Sequence, residues 1–189
     1  MLKKSILLKL GSNTLTKDTD HISRGKIEDI GRQIAALKDQ YEFIIVSSGA
    51  IAAAKQFVKL EHNGEEINVK QALASIGQPH LMRIFQENFR ELGLFTSQCL
   101  LSYSDFEKEQ TRVNIKNTIN VLVANNFIPI INENDTVATD EIKFGDNDKL
   151  AGLTASLLSA DILIIATNTD GIYTKSSLPI YLGKGSYNP

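Results

Sequence analysis

The sequence predicts an α/β protein whose central sheet is mainly parallel and carries helices on both faces. Three observations lead there. Apolar runs alternate with amphipathic stretches along the 189 residues, the order that joins parallel strands through crossover helices. Two of the runs, Phe43–Val46 and Ile162–Ala166, are apolar throughout, as expected of strands covered on both faces. Short polar clusters follow four of the runs, at the carboxyl ends of strands, where ligands sit in sheets of this kind.

Taken in order, Ser5–Leu10 reads as a strand ending at Gly11. Lys26–Tyr41 reads as a helix, with Ile27, Ile30, Ile34, Leu37 and Tyr41 at helical spacing. Phe43–Val46 is a strand stopped by Ser47-Ser48-Gly49, and Ala50–Lys59 a helix. Asn63-Gly64 marks a turn in the polar loop Glu61–Glu66. Asn68–Ser75 and Pro79–Leu92 read as two helices separated at Gly77, the second burying Leu81, Ile84, Phe85, Phe89 and Leu92. Phe95–Leu101 is a strand. Asp105–Asn126 reads as a helix with Asp105 at its N-cap and Val113, Ile119, Leu122 and Val123 turned inward. Phe127–Asn132 is a strand, Asn147–Ser159 a helix and Asp161–Thr167 a final strand.

Hydrophobic residues make up 42% and charged residues 22% of the chain, ordinary proportions for a globular domain. The net charge of −2 offers no overall field to recruit nucleic acid or a membrane surface. No long apolar segment reads as a signal peptide or a membrane span, so a cytoplasmic location is the expectation. Cys99 is the single cysteine, which excludes an internal disulfide and reads as a buried packing residue. The histidines, His21, His62 and His80, form no pair at metal-ligand spacing. They read as surface or loop residues, and no metal ligand is assigned.

Four clusters carry the chemistry. In Lys9-Leu10-Gly11-Ser12 a strand delivers an ammonium suited to phosphate oxygens, and a glycine lets backbone approach a ligand. A solvated lysine before an ordinary turn would read the same. Ser47-Ser48-Gly49-Ala50 joins a strand to a helix, offering backbone N–H groups to an anion or simply an N-capping serine. The third cluster joins Asn132-Glu133-Asn134-Asp135 to Asp146-Asn147-Asp148. So many acids and amides beside a buried strand exceed what loop capping needs, and point to a small polar ligand. Thr167-Asn168-Thr169-Asp170-Gly171 follows the last long strand and reads as a place for nucleobase and ribose or as a bare turn. No Walker A pattern occurs, so separated glycine turns would have to hold any nucleotide.

Together these clusters resemble the amino acid kinase family, and within it the branch that phosphorylates glutamate. The matching words are Lys9-Leu10-Gly11-Ser12, Ser48-Gly49-Ala50-Ile51-Ala52-Ala53, Ile76-Gly77-Gln78, Leu100-Leu101, Ile131-Asn132-Glu133-Asn134-Asp135, Phe144-Gly145-Asp146-Asn147-Asp148 and Gly171-Ile172-Tyr173-Thr174. The resemblance implies a three-layer αβα sandwich and ATP-dependent phosphorylation, with Mg2+, of the side-chain carboxylate of L-glutamate at the entry to proline synthesis. It implies proline as a feedback inhibitor and a homo-oligomer, dimer or tetramer. It places Lys9 and Asp148 in catalysis. Ser48, Gly49, Ala50, Asn132, Asn134, Asp135 and Asn147 would lie around glutamate, with Asp135 on its ammonium and Ser48 and Asn147 on carboxylates. Lys9, Gly11, Ser12, Thr167, Asn168 and Asp170 would lie around ATP.

Three departures stand out. Asn168 occupies a position where the family usually has Asp, and Ala54 one where it usually has Gly. The family continues past Tyr173-Thr174 into a Gly-Thr-Gly-Gly-Met-like loop and a second catalytic lysine, whereas Lys175–Pro189 carries neither; Lys184, between Gly183 and Gly185, is no convincing substitute. The expectation is one amino acid kinase domain over 1–189, without the last part of the ATP region and without an RNA-binding-like C-terminal domain. Such a chain would bind glutamate and turn over ATP poorly. A family member that only binds glutamate or proline, or a kinase for a related amino acid, is the alternative.

Overall fold

The structure, a computed structural model, describes residues 3–16, 21–61, 66–138 and 147–167, and the backbone of 172–173 and 179–180. Five parallel strands form the central sheet. β1 (Lys4–Leu10) lies between β2 (Tyr41–Ser47) and β5 (Ile162–Ala166), while β4 (Phe127–Glu133) lies between β2 and β3 (Phe95–Leu101). The order is therefore β3-β4-β2-β1-β5. Register places Lys9 between Val46 and Ile165, and Leu10 between Ser47 and Ala166, so the exits of the three adjacent strands are level. The backbone of 172–173 and 179–180 forms a separate antiparallel pair, β6 and β7.

Alternation along the central strands builds two cores. On one face Ile6, Phe43, Ile45 and Ile130 pack with Ile27 and Ile34 of α2 (Arg24–Leu37) and Leu81, Phe85 and Phe89 of α4 (Ile67–Glu91). On the other, Leu7, Ile44, Val46 and Ile131 pack with Ile115 and Ile119 of α5 (Glu109–Ala124) and Leu150 and Ala151 of α6 (Asp148–Leu158). Successive strand residues point to opposite faces, and both faces are apolar, so the chain folds as the expected αβα sandwich. A short α1 (Ser12–Leu15) follows β1, and α3 (Ala50–Lys55) follows β2.

Several elements differ from the sequence reading. Asn68–Ser75 and Pro79–Leu92 are not two helices: α4 is one helix of 25 residues with Pro79 inside it. Gly77 marks a close approach rather than a break, since a Cβ there would come within 1.8 Å of the Ala50 carbonyl oxygen. Tertiary packing against α3 outweighs the weak helix propensities of Gly and Pro. α2 stops at Leu37, and Tyr41 opens β2 instead of closing the helix. Asp105 does not cap α5. It forms a capping box with Ser102 in a single 3-10 turn, Tyr103–Phe106, and α5 starts afterwards. That shift turns Val113 outward and brings in Ile115; Leu122 and Val123 are half-buried.

Among the described residues β5 is an edge strand, with no strand paired on the side away from β1, and Ile162, Leu163 and Ile164 are 38–45% exposed. Cys99 is half-buried against the second core, and burial raises its thiol pKa. His80 lies on α4 rather than in a loop, with its ring against Phe57; partial burial, with Arg83 nearby, lowers its pKa. His62 lies outside the described residues.

Candidate functional site

The site is built where the strands end. β1 delivers Lys9, whose side chain is almost fully buried. Its Nζ stands 3.3 Å from where a Cβ on Gly11 would be, so the ammonium folds forward over the turn. It meets the Asp148 carboxylate at 2.6 Å. Asp148 is the first residue of α6 and Asn147 its N-cap, so the cation and the amide cluster are joined through two consecutive residues.

Asn147 is completely buried. Its Nδ2 donates to the Ser47 carbonyl at 3.1 Å, to Ser48 Oγ at 3.3 Å and to Asn132 Oδ1 at 2.8 Å. Ser48 and Asn132 are each 1% exposed. Gly49 adopts φ +108°, and a Cβ there would meet Ile22 at 2.9 Å; this left-handed residue turns the chain out of β2 and lets Ala50 open α3.

At the end of β4, Glu133 is 1% exposed, and just beyond it Asp135 is 7% exposed. Burial, with the neighbouring Glu133 charge added, pushes the Asp135 carboxyl up to about 7. Asn134 hydrogen-bonds Leu101 through its backbone N–H. Glu133, Asn134, Asp135 and Thr136 line a cavity of about 170 Å³ against Gln78 and Gln98. A roomier cleft of about 300 Å³ lies by Lys3, Phe95 and Phe127. Those residues stand at the opposite, amino ends of the strands.

The predicted residues divide into two wings. Ser48, Gly49, Ala50, Asn132, Asn134, Asp135 and Asn147 gather around the exits of β2 and β4. Gly11, Ser12 and Thr167 lie at the exits of β1 and β5, where Thr14 Oγ1 donates to the Ala166 carbonyl at 3.0 Å and ties the wing together. The Lys9–Asp148 pair stands between the wings. Asn168, Asp170 and Asp146 lie outside the described residues.

Both Asn147 amide hydrogens point to protein oxygens, which bears on how Asn147 would meet a ligand. Ser48 Oγ accepts from Asn147 through its lone pair, and its hydroxyl can still donate.

Sequence reasoning missed the grip that α4 has on this site. Gln71 Nε2 donates to the Asp135 carbonyl at 2.9 Å, Ser75 Oγ lies 3.1 Å from Thr136 Oγ1, and Gln78 Oε1 accepts from Asn132 Nδ2 at 2.9 Å. These three residues fall at i, i+4 and i+7, one face of one helix. The signal was present: Gln78 shares the buried phase of Ala74, Leu81 and Phe85, where an amide needs a partner.

Known proteins agree with this architecture. A solved structure of isopentenyl phosphate kinase superposes at a TM-score of 0.59 with 16% identity, covering 89% of this chain and 74% of that one; at that identity the likeness concerns the fold. The chain is 44% identical over 174 residues to a glutamate 5-kinase of Alkaliphilus metalliredigens (strain QYMF), covering 92% of this chain and 66% of that protein. It is 45% identical over 171 residues to glutamate 5-kinase 2 of Bacillus subtilis (strain 168), covering 90% and 46%. It thus spans about half to two thirds of the length of these curated relatives. The amino acid kinase family profile matches residues 4–180, and the chain belongs to that family.

Proposed function

We propose that this chain carries the acceptor site of a glutamate 5-kinase, which transfers the γ-phosphoryl group of ATP to the side-chain carboxylate of L-glutamate. The observation that supports this best is the adjacency of a buried ammonium and an acid–amide pocket on one sheet edge, linked through Asn147 and Asp148. The similarity to proteins named glutamate 5-kinase selects the acceptor.

The chemistry fits the residues. A γ-carboxylate, with a pKa of about 4.3, is already ionised at neutral pH and needs no general base. One of its oxygens attacks the γ-phosphorus as the bond to ADP breaks, giving glutamyl 5-phosphate. The obstacle is repulsion between two anions, so catalysis rests on positioning and positive charge. Lys9 supplies the charge at the transferring group, and Asp148 fixes where it points. Asp135 receives the substrate ammonium, and the Ser48 hydroxyl donates to a carboxylate. Gly49, Ala50, Asn132 and Asn134 complete the acceptor wing.

Gly11, Ser12 and Thr167, with Asn168 and Asp170, form the nucleotide wing of this reading. In this reading Mg2+ enters with the nucleotide, and no step is assigned to a protein-held metal. Proline, which shares the ammonium and α-carboxylate of glutamate, competes at the same wing. The chain acts as a homo-oligomer in the cytoplasm, with no nucleic-acid or membrane partner; no helix among the described residues is long and apolar enough to cross a membrane.

Binding and turnover are measured separately. Calorimetry with L-glutamate is expected to show one site per chain, displaced by proline. A coupled ADP-release assay with L-glutamate and MgATP is expected to show slow turnover by these 189 residues. Absence of glutamate binding would overturn the acceptor assignment, and rapid turnover would show that these residues suffice for transfer.

A further inference from the structure

Four side-chain amides run in a line from the candidate site to the far edge of the sheet. Asn147 Nδ2 donates to Asn132 Oδ1 at 2.8 Å, Asn132 Nδ2 to Gln78 Oε1 at 2.9 Å, and Gln78 Nε2 to Gln98 Oε1 at 3.1 Å. The first three residues are between 0% and 8% exposed, so water is a poor substitute for any of these bonds. The direction of an amide is usually ambiguous, because its oxygen and nitrogen look alike. Here two backbone groups remove the ambiguity. The Ser47 carbonyl can only accept, which requires Asn147 to turn its nitrogen there. The Glu133 N–H, 2.9 Å from Asn132 Oδ1, can only donate, which requires Asn132 to turn its oxygen there. With both ends pinned, Gln78 must present its oxygen to Asn132.

We infer that Gln78 is a positioning residue for ligand binding: the Ser47 carbonyl and the Glu133 N–H choose the orientation of Asn147 and Asn132, and Gln78, by holding Asn132 Nδ2, steadies the pair in it, so that Asn147 meets a ligand only as an acceptor and leaves carboxylate recognition to Ser48. This rests on the reading of Asn147 and Ser48 as acceptor-site residues. α4 is the element that makes it possible, since it carries Gln78 on the same face as Gln71 and Ser75, which hold the loop bearing Asp135. A buried amide that loses its partner leaves an unsatisfied group beside the site, and the neighbouring amide is then held by one bond fewer.

The test is a double-mutant cycle on the full chain, read by L-glutamate calorimetry, with thermal melts as a fold control. Gln78→Met keeps the side-chain length but makes no strong hydrogen bond, and is expected to weaken L-glutamate about fivefold, the scale of one net hydrogen bond. In an Asn147→Ala background the same substitution is expected to cost less than about twofold, because the residue it acts through is gone. Gln78→Glu keeps an acceptor toward Asn132, Gln98 turning its amide to match; its added charge, in one cavity with Glu133 and Asp135, weakens L-glutamate without acting through Asn147, so its loss is expected to be the same in both backgrounds. A Gln78→Met loss that is unchanged in the Asn147→Ala background, or a Gln78→Glu loss that shrinks there, overturns the inference.

The 15N side-chain resonances of Asn147 give a readout that does not depend on glutamate. They are expected to shift in Gln78→Met and to stay in place in Gln78→Glu; the reverse pattern, or no shift in Gln78→Met, overturns the relay. If the unsubstituted chain fails to bind L-glutamate, the proposed function falls and this spectrum alone decides the relay. If Gln78→Met does not melt cooperatively, displaced Asn147 resonances in Gln78→Glu count against the relay and unmoved ones support it.

Discussion

Asp135 and Lys9 are the two residues whose chemistry is most exposed to test. The Asp135 carboxyl is held up to about 7 by burial and Glu133, so the folded protein keeps a proton that the unfolded chain releases from about 3.8 upward. The sign follows: this group costs the ligand-free protein stability as pH rises from about 4 to 7, and nothing further above that. Asp135→Asn should therefore raise the melting temperature at pH 8 and leave it nearly unchanged at pH 4. A substrate ammonium needs the ionised form, so L-glutamate should bind about tenfold more weakly at pH 6 than at pH 8. Asp135→Asn should weaken it at pH 8 and flatten that dependence, while ATP affinity changes little. For Lys9, the buried ammonium 2.6 Å from Asp148, Lys9→Met should lower turnover by about a hundredfold. Glutamate affinity should stay within about threefold by calorimetry; unchanged turnover removes Lys9 from the transfer step.

Helix α4 decides more than any other single element. It fills one core with Leu81, Ile84, Phe85 and Phe89, seats α3 against Gly77 and holds the exit of β4 through Gln71, Ser75 and Gln78. Two glycine substitutions separate contact from propensity. Gly77→Ala sets a Cβ 1.8 Å from the Ala50 carbonyl oxygen, a backbone atom that cannot swing away, and should cost about 3 kcal/mol or more in chemical denaturation. Gly152→Ala, in α6, meets nothing within 4 Å and should stabilise by about 0.5–1 kcal/mol, because alanine has less backbone freedom to lose in a helix. If the two variants melt alike, close packing of α3 on α4 is not what Gly77 provides.

At the scale of the whole sheet, the described residues end in two edge strands, β3 and β5. Each leaves apolar side chains more than a third exposed, Phe95 and Leu100 on β3 and Ile162, Leu163 and Ile164 on β5. Such an edge invites pairing with another chain. Ile164→Lys should reduce concentration-dependent association measured by light scattering and change the unfolding free energy by less than about 1 kcal/mol, as expected of an exposed position. Association that is insensitive to this charge would place the contact elsewhere.

The parallel α/β architecture and the polar clusters at the exits of β1, β2 and β4 were legible in the 189 residues alone. The reason is local. Strand and helix periodicities differ, and short polar side chains crowded behind an apolar strand are costly to bury unless a ligand meets them. What the sequence could not decide was whatever depends on a partner distant along the chain. Gly77 and Pro79 read as a helix break until Ala50 lies against Gly77, and only in the continuous helix does Gln78 come into phase with Gln71 and Ser75. The hydrogens of Asn147 are met by the Ser47 carbonyl, one hundred residues away, and by Asn132 Oδ1, partners the sequence does not reveal. β5 reads as a covered strand because apolar composition records a preference for burial, while burial itself is settled by which elements stand beside it.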